Sequence, residues 1–261
     1  MNNKSLEALL IPPKISISIV SHLQIKMASS LLKDIREYCR DFSFEVILTL
    51  NVHESLDFLE SDFSFPIFIF ENNKPQGFGE NHNQAFKTAR GEYFCVMNPD
   101  IRLNGNPFDT LLVSFSDATI GVTAPVVLNA RGGIEDNARY FPSPFKILCK
   151  LFGGCKGSDY LIAESLVFAD WVAGMFMLFP RTVFAQLHGF DETYFLYYED
   201  VDLCGRLTIA GWRVAVCPAS RVVHHAQRSS HRSLTYLRWH LTSMLRFFLS
   251  PVYRQLSRRL T

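Results

Sequence analysis

Apolar and polar positions in the first hundred residues follow a repeating order of strand and helix. Continuous β-branched runs favour buried strands, whereas apolar residues at three- and four-residue intervals favour helices. These patterns predict strands at 14–21, 44–50, 65–71 and 92–98, and helices at 27–40, 53–61 and 79–90. Strand–helix alternation of this kind predicts a parallel sheet with helices on both faces.

The second half of the chain has a less regular pattern of short elements and long connections. It predicts, in order, one or two strands at 119–129, a long loop with a short helix at 130–160, a strand and a helix within 169–190, a helix from about 199, a strand at 212–218 and a helix from Leu234. Gly91, Gly189 and Gly211 follow predicted helices, where a C-cap favours glycine. The whole pattern is typical of an α/β protein.

Composition narrows the class of protein only modestly. The 261 residues suffice for one large domain or two small ones. The 26 Lys and Arg residues balance 25 Asp and Glu residues, so charge does not point to nucleic acid, and no such partner is expected. Six cysteines without a CxxC pair predict reduced thiols in the cytoplasm. The chain has no run of about 18 apolar residues, so no membrane-spanning helix is predicted. The N-terminus lacks a signal-peptide pattern.

The carboxyl end of the fourth predicted strand carries a candidate metal ligand. Ligands bind such sheets where the strands end, and the sequence Asn98-Pro99-Asp100 follows the strand at 92–98. Asp100 could bind a divalent cation that bridges to a nucleotide diphosphate, because Mg²⁺ prefers oxygen ligands. An Asn-Pro-Asp turn is the alternative explanation. His224 and His225 follow the strand at 212–218, and one imidazole could complete the protein's share of the ligands.

Three carboxylates, Glu199, Asp200 and Asp202, stand at the start of the helix predicted from about 199. Acids in a first turn are stabilised by the helix dipole, and Asp202 can pair with Arg206 four residues later. Capping explains each acid separately, but it does not explain why two tyrosines stand directly before Glu199. A catalytic role for the Glu199–Asp200 pair is therefore the second interpretation.

These motifs occur in an order that resembles glycosyltransferase family 2. The segments "ARGEYFCVMNPD", "DWVAGMFMLF", "YFLYYEDVDLCGRL" and "VVHHA" carry the resemblance, which spans about residues 15–248 and is most specific at 171–214. The closest likeness is to bacterial rhamnosyltransferases of O-antigen and cell-wall assembly. The resemblance implies a GT-A fold, in which a Rossmann-like and mostly parallel sheet binds a nucleotide sugar with Mg²⁺ or Mn²⁺. It also implies transfer with inversion of the anomeric centre.

The resemblance assigns roles to individual residues. Asp100 is the direct carboxylate ligand in a DxD-type motif whose first acid is Asn98 here, and His224 completes the metal shell. Asp200 is the general base, with Glu199 beside it. Donor or acceptor contacts are implied for Asn83, Asn98, Trp171, Ala173 and Gly174.

One position departs from the family pattern. Leu50 stands where the family usually has an acid that contacts the nucleotide base, although Asn51 matches. Ser21, His22 or Asn51 would then contact the nucleotide, or the phosphates would supply most of the binding.

The sequence pattern suggests a domain organisation, and the resemblance implies partners. An N-terminal extension (1–14) precedes a catalytic domain (15–230), which divides into a nucleotide-binding half (15–103) and an acceptor half (104–230). A basic amphipathic helical segment (231–261) follows, and it either packs on the domain or lies on a membrane surface. The expected donor is dTDP-rhamnose and the expected acceptor is a lipid-linked glycan. The expected location is the cytoplasm, with peripheral attachment to the inner membrane.

Two other functions remain open from the sequence. A sugar nucleotidyltransferase shares a similar sheet and metal, but it needs a glycine-rich basic loop after the first strand. The chain has "SHLQIKMAS" there, without glycine. A non-catalytic glycan-binding relative would be expected to lose the acid at 100 or 200, and both are present.

Overall fold

The computed structural model describes residues 12–151, 157–225 and 234–260. Its strands are β1 (Ile15–Ser21), β2 (Phe44–Leu50), β3 (Ile67–Glu71), β4 (Tyr93–Met97), β5 (Ile101–Arg102), β6 (Ile120–Asn129), β7 (Ala138–Arg139), β8 (Val167–Ala169), β9 (Trp171–Val172), β10 (Phe176–Pro180) and β11 (Arg213–His224). Its helices are α1 (Ile25–Tyr38), α2 (Phe78–Thr88), α3 (Phe108–Ser114), α4 (Pro144–Leu151), α5 (Arg181–Gln186), α6 (Glu199–Ile209), α7 (Leu234–Leu249) and α8 (Pro251–Leu260). Within these residues, one sheet has the order β3-β2-β1-β4-β10-β6-β11-β5, β8 adds beside β11, and β7 pairs with β9.

The first half forms the predicted parallel sheet, because β3, β2, β1 and β4 all run in one direction. Side chains of β1 alternate between its two faces. Ile15, Ile17 and Ile19 pack with α1 in one apolar cluster. Ser16 and Ser18 face the other side, where Ser18 contacts His82 of α2. The four predicted strands are confirmed, and helices cover both faces.

The helix predicted at 53–61 is wrong. Only a short 3₁₀ turn at Glu60–Asp62 forms in this region. The Glu54 carboxylate instead accepts hydrogen bonds from Ser21 Oγ at 2.7 Å and from the backbone amides of Leu23 and Ile25, both at 2.8 Å. These bonds hold the segment against the start of α1 and satisfy amides that the helix leaves without partners.

The prediction that Gly91 caps the preceding helix is also wrong. The cap residue of α2 is Ala89, and Gly91 lies directly beside β1. A Cβ atom at position 91 would lie 2.5 Å from the backbone nitrogen of Ser16, so only glycine permits this approach. Gly189 and Gly211 do have the left-handed backbone expected of residues after a helix, with φ of 68° and 91°.

The second half extends the sheet with strands of both directions. Strand β10 runs antiparallel between β4 and β6, and β11 runs parallel to β6. The strand predicted at 212–218 is longer than expected, because β11 continues past an irregularity between Cys217 and Arg221 and ends at His224. Its last residues pair antiparallel with β5, and His224 lies opposite Ile101. His224 is therefore the end of a strand and not part of a free loop.

The cysteines only partly follow the expectation of reduced thiols. Four are free and buried, and they are Cys39, Cys95, Cys204 and Cys217. Cys149 is disulfide-bonded, which the sequence did not suggest. The described residues do not include residues 1–11 of the predicted N-terminal extension. They also do not include Cys155 or residues 226–233. None of the described helices is long and apolar enough to cross a membrane.

Candidate active site

A cavity of about 880 Å³ lies past the carboxyl end of β4. Its wall combines the β4–β5 turn, the β7–β9 pair, the segment before β10, the start of α6 and one side of α7. Polar side chains in the wall include Asn98, Glu135, Arg139, Asp200 and His240. A large cavity at this edge of the sheet, with several ionisable groups in its wall, is the expected form of a ligand site in an α/β protein.

Asp200 lines this cavity as the second residue of α6. Its Oδ2 accepts a hydrogen bond from the Gly174 amide at 2.9 Å, and its Oδ1 accepts one from the Val201 amide at 2.8 Å. Burial raises the pKa of Asp200, and these backbone hydrogen bonds lower it, with burial the stronger effect. A half-buried carboxylate with a raised pKa is a better proton acceptor than a solvated one.

Glu199 is the more deeply buried member of the acidic pair. It is 5% exposed, and its Oε2 atom has no hydrogen-bond partner in the part of the chain described. Burial, and then the negative charge of Asp200, raise the pKa of Glu199 well above its usual range. Two adjacent carboxyl groups of this kind do not readily ionise together, so a state in which the pair keeps one proton is favoured.

The turn before α6 has strained backbone. Tyr197 and Tyr198 both have left-handed conformation, with φ of 69° and 70°. Bulky residues rarely adopt this conformation, which costs on the order of 1–3 kcal/mol for each residue. The ring of His240 on α7 packs against both tyrosine rings, at 5.3 and 5.5 Å, and Ser243 Oγ donates a hydrogen bond to the Leu196 carbonyl at 2.9 Å. Contacts with α7 thus stabilise the turn that orients the acidic pair.

Asp202 has a different environment from its two neighbours. It is buried, and its Oδ2 accepts a hydrogen bond from Arg206 Nε at 2.7 Å. Arg206 also donates to the Leu187 carbonyl, which ties α6 to the end of α5. The i,i+4 pair that the sequence predicted between Asp202 and Arg206 is therefore present.

Asp100 and His224 meet at the other end of the site. Asp100 follows the turn that begins at Asn98, and its Oδ2 lies 3.2 Å from His224 Nε2. The antiparallel pairing of β5 with β11 brings them together across 124 residues of sequence, and the His225 amide also donates to the Asp100 carbonyl. The turn and the carboxylate–imidazole contact therefore coexist, so the two explanations of Asp100 are compatible.

Glu135 completes this cluster and was missed by the sequence analysis. Its Oε2 lies 2.8 Å from Nδ1 of His224. Burial lowers the pKa of His224, but hydrogen bonds and charges from Asp100 and Glu135 outweigh this effect and raise it to about 8. The only available signal was the position of Glu135 in the long loop at 130–160, since loops of that length often carry function.

The Asp100–His224 cluster fits a divalent cation in three respects. Asp100 Oδ1 is buried without a hydrogen-bond partner among the described residues, so one carboxylate oxygen remains available. The 3.2 Å contact is close to the separation of about 3 Å between two atoms that bind one Mg²⁺ at right angles. A carboxylate on the second nitrogen of a metal-binding histidine, as Glu135 is here, is the usual outer partner. No group of three or more His, Cys, Asp or Glu side chains is placed to hold a metal by itself in the described part of the chain, so phosphate and water would supply the remaining ligands.

One two-residue segment links the acidic pair to this cluster. The Gly174 amide donates to Asp200, and the carbonyl of the next residue, Met175, accepts from the Asn98 amide at 2.8 Å. A Cβ atom at position 174 would lie 3.2 Å from the ring of Phe78 and 3.7 Å from Asp200, so glycine keeps this part of the cavity open. Asn98 and Gly174 both line the cavity.

The predicted nucleotide-contact residues lie at the ends of β1 and β2, and much of their hydrogen bonding is internal. Ser21 is buried and donates to Glu54. The Asn51 amide group donates to the Gln76 carbonyl at 3.0 Å and accepts from the Gln76 amide at 2.7 Å. His22 is exposed, with Nδ1 at 3.2 Å from Asn51 Nδ2. His22 is thus the most accessible of the three, and Leu50 is buried in the core.

Asn83, for which the resemblance implied a donor or acceptor contact, lies inside a helix and bonds to a neighbouring turn. Helix α2 begins at Phe78, which places Asn83 in its second turn. Its amide group accepts from the Phe190 amide at 2.9 Å and donates to the Phe190 carbonyl at 2.9 Å and to Glu192 at 3.0 Å. Asn83 therefore fixes the 189–192 turn against α2, and it is not part of the cavity wall.

Trp171 lies opposite Arg139 in the β7–β9 pair. The Arg139 guanidinium is 5.5 Å from the Trp171 ring centre, and the indole N–H donates to the Tyr140 carbonyl at 3.0 Å. The next residue of this segment in the cavity wall is Ala173, whose amide donates to the Asn137 carbonyl at 2.9 Å. Arg139 was missed by the sequence analysis, because only the pairing of two short strands brings it to the cavity.

The fold described above is found in known proteins. A structure of GalNAc-T7 with UDP, GalNAc and Mn²⁺ matches with a TM-score of 0.66 and 15% identity, over 91% of this chain and 48% of that one. The mannosyltransferase PcManGT from Pyrobaculum calidifontis, in complex with GDP-Man and Mn²⁺, matches with a TM-score of 0.60 and 17% identity, over 90% of this chain and 65% of that one. The fold class is therefore the GT-A fold of glycosyltransferases, as predicted.

Sequence comparison identifies the family. The family described as "Glycosyltransferase like family 2" matches residues 71–241, and the chain belongs to this family. Rhamnosyltransferase WbbL of Escherichia coli K12 is 29% identical over 185 residues, which cover 66% of this chain and 69% of that protein. The N-acetylglucosaminyl-diphospho-decaprenol L-rhamnosyltransferase of Mycobacterium tuberculosis is 30% identical over 164 residues, 59% of this chain and 53% of that enzyme. The chain thus spans about half of the mycobacterial protein. The protein is a glycosyltransferase of this family, which excludes the nucleotidyltransferase alternative.

Proposed function

We propose that this enzyme transfers rhamnose from dTDP-rhamnose to a hydroxyl group of a lipid-linked saccharide, with inversion, in bacterial surface polysaccharide synthesis such as that of O-antigen. The observation that carries the proposal is the Gly174–Met175 segment. It holds Asp200 on one side and the Asn98–Asp100 turn on the other, and Asp200, Asn98 and Glu135 all line one cavity, which supports a base and a cation site that act on one substrate. In a single displacement at an anomeric carbon, a base takes the proton of the acceptor hydroxyl and a cation offsets the charge of the leaving group.

The proposed reaction is a direct displacement. The acceptor oxygen forms a bond to the anomeric carbon while the bond from that carbon to the phosphate oxygen breaks. The electron pair of the broken bond leaves with the nucleoside diphosphate, and the hydroxyl proton passes to Asp200. General base catalysis of this kind contributes about 10²–10⁴-fold to a rate.

The environments of Asp200 and Glu199 suit these roles. A helix N-terminus favours the carboxylate and weakens a base, whereas burial strengthens it, and at Asp200 burial has the larger effect on the pKa. Burial and the charge of Asp200 raise the pKa of Glu199 well above its usual range. A pair that keeps one proton carries a single negative charge beside the departing diphosphate, and in this proposal Glu199 supports the orientation of Asp200.

Asp100 and His224 are the proposed protein ligands of Mg²⁺ or Mn²⁺, with Glu135 holding His224. The bound cation would offset the negative charge that develops on the leaving diphosphate. The Mn²⁺ named with two matched glycosyltransferases supports this class of cofactor.

The donor and acceptor follow from the relatives. Two curated relatives are named as rhamnosyltransferases, and one of these names includes a diphospho-decaprenol lipid. A lipid-linked acceptor implies work at the cytoplasmic surface of the membrane, and we propose peripheral attachment there. With Leu50 in the core, the proposed nucleotide contacts are His22 and, behind it, Asn51 and Ser21.

A screen of nucleotide sugars tests the proposal. The full chain is incubated with Mn²⁺, a polyprenyl diphosphate saccharide and each donor in turn, and the released nucleoside diphosphate is measured. Release from dTDP-rhamnose, with an acceptor product in which the anomeric centre is inverted, is the expected result. Preference for another donor would overturn the rhamnose assignment, and retention of configuration would overturn the mechanism.

Replacing Glu135 with glutamine is expected to weaken Mn²⁺ binding about 10–100-fold, the usual effect of losing an outer partner of a metal-binding histidine. The fold should persist, because glutamine keeps the length and one acceptor oxygen. Titration of Mn²⁺ against activity, together with direct Mn²⁺ binding, measures the effect. Glu164→Gln removes an exposed charge from the segment before β8, outside the Glu135–His224 contact, and is the control. Unchanged Mn²⁺ affinity in Glu135→Gln would contradict the assignment.

Replacing Arg139 with glutamine is expected to move the acidic limb of the pH–rate profile to higher pH. The positive charge of Arg139 lowers the pKa of Asp200, so its removal raises that pKa further. The base is active as a carboxylate, and activity is lost as pH falls through its pKa. The profile of kcat/KM for wild type, Arg139→Gln and the charge-conserving Arg139→Lys shows the shift. An unchanged limb in the glutamine variant would count against Asp200 as the titrating group.

A further inference from the structure

Helix α7 presents a continuous leucine face to solvent. Leu234, Leu237, Leu241, Leu245 and Leu249 follow each other at three- and four-residue intervals, which places them on one side of the helix. All five are between 49% and 84% exposed. The opposite side of the helix packs on the protein through Ser243 and Phe247. A contiguous exposed apolar face of this kind marks an interaction surface.

The charge beside this face has one sign. Residues 234–261 contain five arginines and neither Asp nor Glu. Arg238 and Arg246 line a groove of about 570 Å³ between α7 and the segment at 193–195, and hydroxyl and aromatic side chains form the rest of its wall. Leu234, from the leucine face, lies in the same wall. Guanidinium groups bind phosphate oxygens through paired hydrogen bonds, so the groove has the chemistry of a phosphate site next to an apolar surface.

We propose that the leucine face of α7 and its arginine groove dock the enzyme on a bilayer that contains anionic phospholipid. The leucine side chains would enter the acyl boundary, and Arg238 and Arg246 would lie at the level of the lipid phosphates. An interfacial helix combines these same two features, a leucine-rich face and basic residues without acids. Charge complementarity selects an anionic bilayer over a neutral one.

The active-site cavity adjoins this surface. Leu237 of the leucine face also lines the cavity, together with Tyr236 and His240 of α7. Across the cavity, Lys146 and Ile147 of α4 line the wall, while the adjacent Phe145 and Leu148 are exposed. Apolar side chains from two helices therefore border one opening. This step depends on the proposed lipid-linked acceptor. The glycan of that acceptor would reach Asp200 while its lipid remains in the bilayer.

Vesicle sedimentation of the full chain tests the docking surface without any sugar transfer. Vesicles of phosphatidylcholine with and without phosphatidylglycerol are compared at rising salt. Wild type is expected to sediment with the anionic vesicles only, and Leu241→Gln/Leu245→Gln to lower the partition coefficient about tenfold or more. The matched control Leu59→Gln/Val113→Gln removes two side chains that are 68% and 71% exposed elsewhere, and should bind as wild type does.

A second pair of variants tests the arginine groove. Arg238→Gln/Arg246→Gln is expected to lower the partition coefficient about tenfold and to flatten its salt dependence. The control Lys33→Gln/Lys87→Gln removes two exposed charges from α1 and α2. Thermal unfolding shows whether each variant folds. If the leucine variant does not fold, vesicle binding of the arginine variant decides whether the docking surface is correct.

Three results would overturn the docking surface. The first is no sedimentation of wild type with anionic vesicles. The second is sedimentation of both the leucine and the arginine variants to the same extent as wild type. The third is a solution dimer that the leucine variant dissociates while vesicle binding is absent. Transfer to a short water-soluble acceptor separates this proposal from the proposed function, because the leucine variant should retain wild-type rates there. Intact vesicle docking without transfer from any donor would support the surface and contradict the reaction.

Discussion

Replacing Asp200 with asparagine is expected to lower kcat for sugar transfer by about 10²–10⁴-fold, the contribution of a general base. Asparagine has nearly the same shape but accepts no proton from the acceptor hydroxyl. Its single acceptor oxygen cannot serve both the Gly174 and Val201 amides, which now bond to separate oxygens of Asp200. A loss of stability of about 1 kcal/mol is therefore expected as well. Rate measurements with saturating donor, below the unfolding temperature of the variant, separate the two effects.

Asp202→Asn is the matched control, since it makes the same chemical change on the same helix. It removes the charge that pairs with Arg206 at 2.7 Å and should lower the unfolding temperature. It should leave kcat within a few-fold of wild type, because Asp202 pairs with Arg206 and is not part of the cavity wall. Equal activity of Asp200→Asn and wild type would remove Asp200 from the base role, whatever happens to the control.

Replacing Asp100 with asparagine is expected to raise the Mn²⁺ dissociation constant by at least about 10²-fold, more than the loss of an outer partner such as Glu135. Asparagine keeps the turn and one oxygen but removes the charge that attracts the cation. Direct Mn²⁺ binding in the presence of nucleoside diphosphate measures the effect, and the activity at low Mn²⁺ should fall in parallel.

Asp109→Asn provides the comparison for this experiment. Asp109 is an exposed acid in α3 that accepts a hydrogen bond from Asn106 at 3.0 Å, away from His224. Its replacement changes the net charge by the same amount as Asp100→Asn. If both variants bind Mn²⁺ as wild type does, the cation site is not at Asp100.

The sequence predicted the four strands of the first half of the fold well, because these strands are apolar and alternate with polar or amphipathic segments. The error at 53–61 has a specific cause. Glu54 forms bonds with Ser21 and two amides that are distant in sequence, and no local pattern shows such bonds. Gly91 was assigned to a helix cap by its position. Glycine is required there because β1 approaches closely, and such a tertiary contact leaves no local pattern in the sequence.

The site was predicted as a set of residues and not as an arrangement. Asp100 and His224 were named, but their contact depends on the extension of β11 past an irregularity and on its pairing with β5. Glu135 and Arg139 come from a loop whose pattern predicts no particular geometry. The direction of the pKa shift at Asp200 depends on burial, which the sequence could not weigh against the helix start.

The packing of His240 against Tyr197 and Tyr198 connects α7 to the turn that precedes the acidic pair. Two adjacent left-handed tyrosines would relax toward ordinary backbone if the ring above them were absent, and Glu199 and Asp200 follow directly in the chain. A boundary at residue 230 would therefore separate the acids from the helix that keeps them in position. We therefore expect the smallest self-sufficient unit to include α7 at least as far as Ser243, so the surface proposed to meet the membrane and the residues that brace the turn before Glu199 lie on one helix.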